Sequence, residues 1–173
     1  MKKLLLAIAA MITGTVPVIS REANETTGCV PVAIDTVLNK VSNQPFTISF
    51  AVPDGNYKVT VTLGNKKRAA QTVVRAESRR HYADLVTTKK NKYETVSFIV
   101  NKHNPVIAGD TRVKLKPREV DYKNWDDSLN LSFCGLAPAV QRIRIEPATD
   151  VTTVFLCGNS TVVDQENEPW ASW

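Results

Sequence analysis

The chain has 173 residues, 43% of them hydrophobic, with 7 Gly and 9 Pro, enough for one ordinary domain with a real core. Its 22 basic and 17 acidic residues give a net charge of +5. Setting aside Lys2 and Lys3 leaves 20 against 17, or +3, too slight an excess to identify a polyanionic partner. Three cysteines (Cys29, Cys134 and Cys157) without metal-ligand spacing, and only two histidines, argue against a structural metal site.

The chain opens with a positive Met1-Lys2-Lys3, an apolar stretch over 4–12 and a small, mildly polar stretch over 14–20. That is the form of a bacterial-type secretory signal peptide, residues 1–20, and it is short for a membrane span. The product is expected to be secreted or periplasmic, with no stable membrane insertion after cleavage; the alternative is an uncleaved anchor. Export argues against a nucleic-acid partner. The basic clusters Lys66-Lys67-Arg68, Arg79-Arg80-His81 and Lys89-Lys90 then read as solvated loops and strand faces, although an acidic polysaccharide could exploit a mildly positive surface. In an oxidising compartment Cys29 and Cys134 could pair; two free thiols fit equally well. Cys157 lies in an apolar run and reads as a core residue.

Residues 21–44 are polar and irregular, with room for one edge strand over 30–37. From Phe46 the pattern has period two. Phe46, Ile48, Phe50 and Val52 share one face, Pro53-Asp54-Gly55-Asn56 is a turn, and Tyr57, Val59, Val61 and Leu63 alternate with polar residues. This predicts a β-hairpin with one buried face. Gly64-Asn65 turns the chain again. Further strands are expected over 71–76, 94–100, 112–115, 129–133 and 140–146, the last with Ile143 and Ile145 inward and Arg142 and Arg144 outward. No helical periodicity competes between 45 and 147. The fold class is therefore mainly β: a jelly-roll or galactose-binding-like β-sandwich over 21–147.

Pro147-Ala148-Thr149-Asp150 marks a boundary. Val154-Phe155-Leu156-Cys157 is continuously apolar and meets a small polar turn, Gly158-Asn159-Ser160-Thr161, as a buried strand of an α/β sheet would end. Ser160 then sits just outside the carboxyl end of a strand, where a nucleophile is useful. Glu166-Asn167-Glu168-Pro169-Trp170 reads as a helix start, with acids near the amino end.

The block from Gly158-Asn159-Ser160-Thr161-Val162-Val163-Asp164-Gln165 to Glu168-Pro169-Trp170-Ala171-Ser172-Trp173 resembles the first conserved block of the SGNH/GDSL hydrolases, and among them bacterial rhamnogalacturonan acetylesterases. The segment 51–64, with Leu115-Lys116-Pro117-Arg118-Glu119 and Asn124-Trp125-Asp126-Asp127, resembles the β-sandwich that precedes the esterase domain in many of them. The resemblance covers most of 45–173. It implies that 148–173 begin an SGNH α/β hydrolase domain and that Ser160 is the nucleophile, its backbone N–H also an oxyanion donor. The activity implied is serine acyl transfer removing acetyl groups from acetylated plant polysaccharide (pectin, rhamnogalacturonan in particular), with no metal or organic cofactor. The chain departs from the family block in having Asn159 where an aspartate precedes the serine. The family's other oxyanion-hole residues and its Asp and His lie past residue 173, so this chain alone is expected to be inactive. His81 and His103 read as polar strand-end or loop histidines.

A different class of function rests on the sandwich itself, as a non-catalytic module that binds carbohydrate or braces a neighbouring domain. Tyr57, Tyr82, Tyr93, Tyr122 and Trp125 are the aromatic candidates for stacking on sugar rings. Tyr57 alternates with the core set and is expected to be packed. Trp125, set among polar residues, is the candidate substrate-binding residue; its alternative is a loop aromatic folded back on the core.

Overall fold

The structure, a computed structural model, describes residues 33–123, 125–156, 158, 159 and 162. Alternation of apolar and polar residues produces strands wherever it persists. In chain order they are β1 (Ile34–Val41), β2 (Phe46–Ala51), β3 (Gly55–Gly64), β4 (Ala70–Ala76), β5 (Arg80–Thr88), β6 (Tyr93–Lys102), β7 (Val106–Ala108), β8 (Thr111–Arg112), β9 (Ser128–Cys134) and β10 (Ala139–Pro147). The short β7 and β8 pair only with each other. The rest form two antiparallel four-stranded sheets, ordered β1-β10-β3-β6 and β2-β9-β4-β5.

The pairing is nested. β4 pairs with β5, β3 with β6, β2 with β9 and β1 with β10. One long antiparallel ribbon is thus rolled up, and the roll brings β3 beside β10 and β4 beside β9. The inward faces of the two sheets share one core. Val59, Val61, Leu63, Ile143 and Ile145 enter it from one sheet, and Val74, Leu129, Leu131 and Phe133 from the other. Burying each such side chain contributes roughly 1.5–3 kcal/mol. On the outer face Arg142 binds Asp35 with Nε and Nη2 across the β1–β10 pair. At Gly135 the backbone passes so close to β4 that a Cβ would lie 2.3 Å from the Gln71 carbonyl oxygen, at φ +117°. Only glycine fits there.

The expected hairpin over residues 46–63 is not formed. β2 and β3 lie in different sheets, and 52–54 cross between them. Alternation sets which face of a strand is buried but says nothing about its partner. Local bonds fix the crossover: Tyr57 Oη donates to the Pro53 carbonyl at 2.7 Å, and Asp54 Oδ1 accepts from Lys102 Nζ at 2.9 Å and from the Asn104 N–H at 3.0 Å. The edge strand expected over 30–37 is β1, displaced to Ile34–Val41. Of 112–115 only the start is in a strand, Thr111–Arg112. β5, for which the sequence carries no clear alternation, is an additional strand.

The buried strand expected at 154–157 is also absent, in 154–156 and in the residues 151–153 that lead to it. These residues join no ladder, and Val154, Phe155 and Leu156 are 73%, 61% and 60% exposed. An apolar run becomes a strand only beside another strand, and none is paired with it here. The segment instead leans on the end of the sandwich: the Ala148 N–H donates to Asn56 O at 2.8 Å and Thr153 Oγ1 to Asn56 Oδ1 at 2.9 Å. Residues 1–20, Cys29, Cys157, Ser160 and the helix start at 166–170 lie outside the described residues. Cys134 is a half-buried free thiol.

Candidate functional site

The β4–β5 connection turns through Glu77 and Ser78, both in left-handed backbone conformations, at φ +48° and +70°. Two consecutive positive φ values suit the twist of a tight hairpin, but Asn-Gly or Asp-Gly normally supplies them. Glu77 is there because it is held: its N–H donates to Asn130 O at 3.0 Å, and its Oε1 accepts the Asn130 N–H at 3.0 Å. Glu77 is only 4% exposed. Burial pushes its carboxyl up from an ordinary 4.5 to about 7, against the Asn130 bond and the nearby Arg80 and Lys102, and with the Asp126 carboxylate adding to the rise.

Asn130, on β9, is the hub of this end. The two hydrogens of its Nδ2 are shared among four acceptors, both Asp126 carboxylate oxygens and Ser128 O at 3.1 Å and Lys123 O at 3.3 Å. Its Oδ1 accepts from Ser49 Oγ at 2.6 Å. These bonds tie both flanks of Trp125 to the sheet. Trp125 itself has φ +58°, an unusual conformation for a bulky residue. Its ring meets His103 with centroids 4.2 Å apart, and His103 also meets Phe155 at 5.2 Å.

Glu77, Arg80, Asn101, His103 and Trp125 line one small cleft of about 10 Å³. That is room for a water or a hydroxyl, not for a ring. Arg80 Nη1 donates to Asn101 O at 3.4 Å, and Asn101 Nδ2 to Asn56 Oδ1 at 3.0 Å. Behind it the nearly buried Lys102 is neutralised by Asp54. Two strained non-glycine residues meet within this one cleft: Glu77, whose buried carboxyl has its pKa raised to about 7, and Trp125, whose indole is half-buried. Strain and shifted acidity of this kind concentrate at functional sites.

Of the aromatic candidates, Tyr57 is in the core at 3% exposure, as its alternation requires. Tyr82 is half-buried and stacks on Phe98 at 4.5 Å. Tyr93 is exposed at the far end of β6, and Tyr122 is half-buried beneath Arg79. Trp125 is half-buried, and of these five residues it alone lines the cleft. His103 follows the last residue of β6, the strand-end position expected of it, yet it contacts Trp125. His81 is apart, exposed on β5. Glu77, Arg80, Asn101 and Asn130 were not singled out as site residues by sequence. The one available signal was Asp126-Asp127-Ser128, a side-chain-capped turn in which Asp126 Oδ1 accepts the Ser128 N–H at 2.8 Å.

Gly158 and Asn159 are exposed, and Asn159 O accepts the Val162 N–H at 3.1 Å. Ser160 lies outside the described residues, so no triad geometry is assigned to it. Among the described residues no three metal-ligating side chains converge. Comparison with protein-family models, with curated proteins and with solved structures finds no match to this chain.

Proposed function

We propose that the sandwich is a carbohydrate-binding module of jelly-roll topology, with Trp125 as the platform for a sugar ring. The nested, rolled pairing supports the jelly-roll reading, since a single ribbon wound into two sheets is how that architecture is wired. The observation that carries the sugar reading is the placement of Trp125. Its indole is held in a strained conformation by the Asn130–Asp126 bonds, beside a cleft whose rim offers a carboxyl, a guanidinium and an amide. Sugars present apolar C–H faces to aromatic rings and hydroxyls to such polar groups. Because the cleft admits one small group, the ring would lie over Trp125 and direct one hydroxyl toward Glu77 and Arg80. Titration with neutral galactan oligosaccharides tests this. Binding weakened about tenfold or more by Trp125→Ala, equal to about 1.4 kcal/mol, is expected. No binding, or equal affinity in a Trp125→Ala chain with an unchanged circular dichroism spectrum, rejects it.

A second reading adds an exported ester hydrolase acting on acetylated pectin, with Ser160 as nucleophile. Its support is the Gly158-Asn159-Ser160 block and the path of 151–156, which leads from the Trp125 cleft toward that block through the Phe155–His103 contact. Acetate release from acetylated rhamnogalacturonan by the product of the whole reading frame, abolished by Ser160→Ala, is the expected result. Release that survives the substitution rejects this reading and leaves the binding module standing.

A further inference from the structure

The end of the sandwich away from Trp125 has a different chemistry. Four connections meet there: 42–45, 65–69, 89–92 and 135–138. They are joined by Ser42 N–H to Pro138 O at 3.1 Å, by Asn91 N–H to Asn65 O at 2.9 Å, and by Arg68, which donates to Asn43 Oδ1 at 2.8 Å and to Ser42 O at 2.9 Å. These connections contain Lys66, Lys67, Arg68, Lys89, Lys90 and Lys92, and not one Asp or Glu. The remainder of the chain holds 16 cations against 17 carboxylates, so the net charge of +5 is concentrated in these four turns. None of the six cations meets an acidic side chain among the described residues.

This end is also concave. A groove of about 690 Å³ runs between the first two connections, lined by Asn39, Val41, Ser42, Asn43 and Asn65 alongside Lys66, Lys67 and Arg68. The Arg68 guanidinium is fixed at two nitrogens, while its Nε–H is buried without an acceptor. A groove walled by one sign of charge focuses potential and concentrates counter-ions. Its amides and its hydroxyl can bond neutral hydroxyl groups between the cations.

We propose that this groove is a second binding site, for a carboxylate-bearing polysaccharide such as a uronic-acid chain. The cations pair with carboxylates along the chain, and Asn39, Asn43, Asn65 and Ser42 bond ring hydroxyls between them. A single-stranded nucleic acid would call for aromatic platforms on which bases stack, and no aromatic residue lines the groove. An anionic membrane surface would be met by a convex face with several apolar or aromatic anchors, where this surface is hollow and Val41 is its single apolar lining residue. The site does not depend on the Trp125 cleft, which lies at the other end of β3.

The test uses the whole chain and three probes: polygalacturonate, neutral galactan and single-stranded DNA matched in charge. The expected result is binding to polygalacturonate that weakens about tenfold between about 0.05 and 0.5 M salt. It should weaken at least about tenfold, or about 1.4 kcal/mol, in the Lys66→Gln/Lys67→Gln double variant and remain unchanged in Trp125→Ala. These lysines are exposed and meet no acidic side chain among the described residues, so the double variant keeps its fold, which circular dichroism verifies. Three results would overturn the proposal: undiminished polygalacturonate binding by the double variant or, in the Trp125→Ala chain, galactan bound as tightly as polygalacturonate or DNA bound as tightly. Loss of polygalacturonate binding in Trp125→Ala alone would assign the ligand to the cleft instead, which also overturns it.

Discussion

Replacing Glu77 by glutamine isolates the buried carboxyl. In the folded chain its pKa is raised from 4.5 to about 7, so in this window the native state binds more protons than the unfolded one. Stability gained from the group is complete below about pH 4.5 and is lost as pH rises through about 7. A shift of that size is worth about 3 kcal/mol, with a slope near 1.4 kcal/mol per pH unit where it acts. The substituted amide would keep the acceptor for the Asn130 N–H and remove the titration. Urea unfolding of both proteins between about pH 4.5 and 8 reads the difference. Glu77→Gln is expected to match the parent at the acid end and to exceed its stability by up to about 3 kcal/mol at about pH 8. Arg80, Lys102, Asp126 and His103 surround the site in both proteins and cancel to first order. Parallel pH profiles would refute the assignment of the raised pKa to Glu77.

Two other substitutions probe the frame. Gly135→Ala must bring a Cβ to 2.3 Å from the Gln71 carbonyl oxygen at φ +117°; a loss of about 2 kcal/mol or more by urea unfolding is expected, and a neutral result would show that β4 and the turn at Gly135 are not in close contact. Tyr57→Phe removes the hydroxyl that donates to Pro53 O while leaving the ring in the core; a loss of about 0.5–1.5 kcal/mol is expected by the same assay, and an unchanged midpoint would deny that bond a part in fixing the crossover.

The strands whose alternation is strict were legible from residues alone. β3, β9 and β10 run close to the expected positions, and Ile143 and Ile145 face inward while Arg142 and Arg144 face out. β5 was not legible because its register against β4 shifts between Thr72 and Val74 and again between Val74 and Arg75. Tyr82 and Ala83 are consequently neighbours that both lean inward, which erases the period of two. The false hairpin over 46–63 has a different origin. A turn of Pro, Asp, Gly and Asn serves a crossover between sheets as well as it serves a hairpin, and only the distant Lys102 and Asn104 decide between them. The apolar run at 154–156 misled for a third reason, since hydrophobicity does not supply a neighbouring strand. The cleft was hardest to foresee. Glu77 and Trp125 adopt positive φ without glycine or asparagine to announce it, because hydrogen bonds from β9, far along the chain, hold the conformation.

The rolled ribbon also sets the order in which the protein can be made. β10 occupies the middle of one sheet, between β1 and β3, and β9 the middle of the other, between β2 and β4. Both central strands are translated after the strands that flank them. A nascent chain that has emerged only as far as β6 can form the β3–β6 and β4–β5 pairs, but β1 and β2 still have no partner. Ile34 waits for Ile145, and Phe46 for Phe133. Closure of such distant pairs is slow, on the order of milliseconds to seconds for β-sandwiches. In the interval the core faces of β1, β2 and β3 are exposed to other chains. The time spent between the synthesis of β6 and that of β10 is therefore when this protein is most exposed to misassembly, and when a chaperone that masks strand edges would matter most.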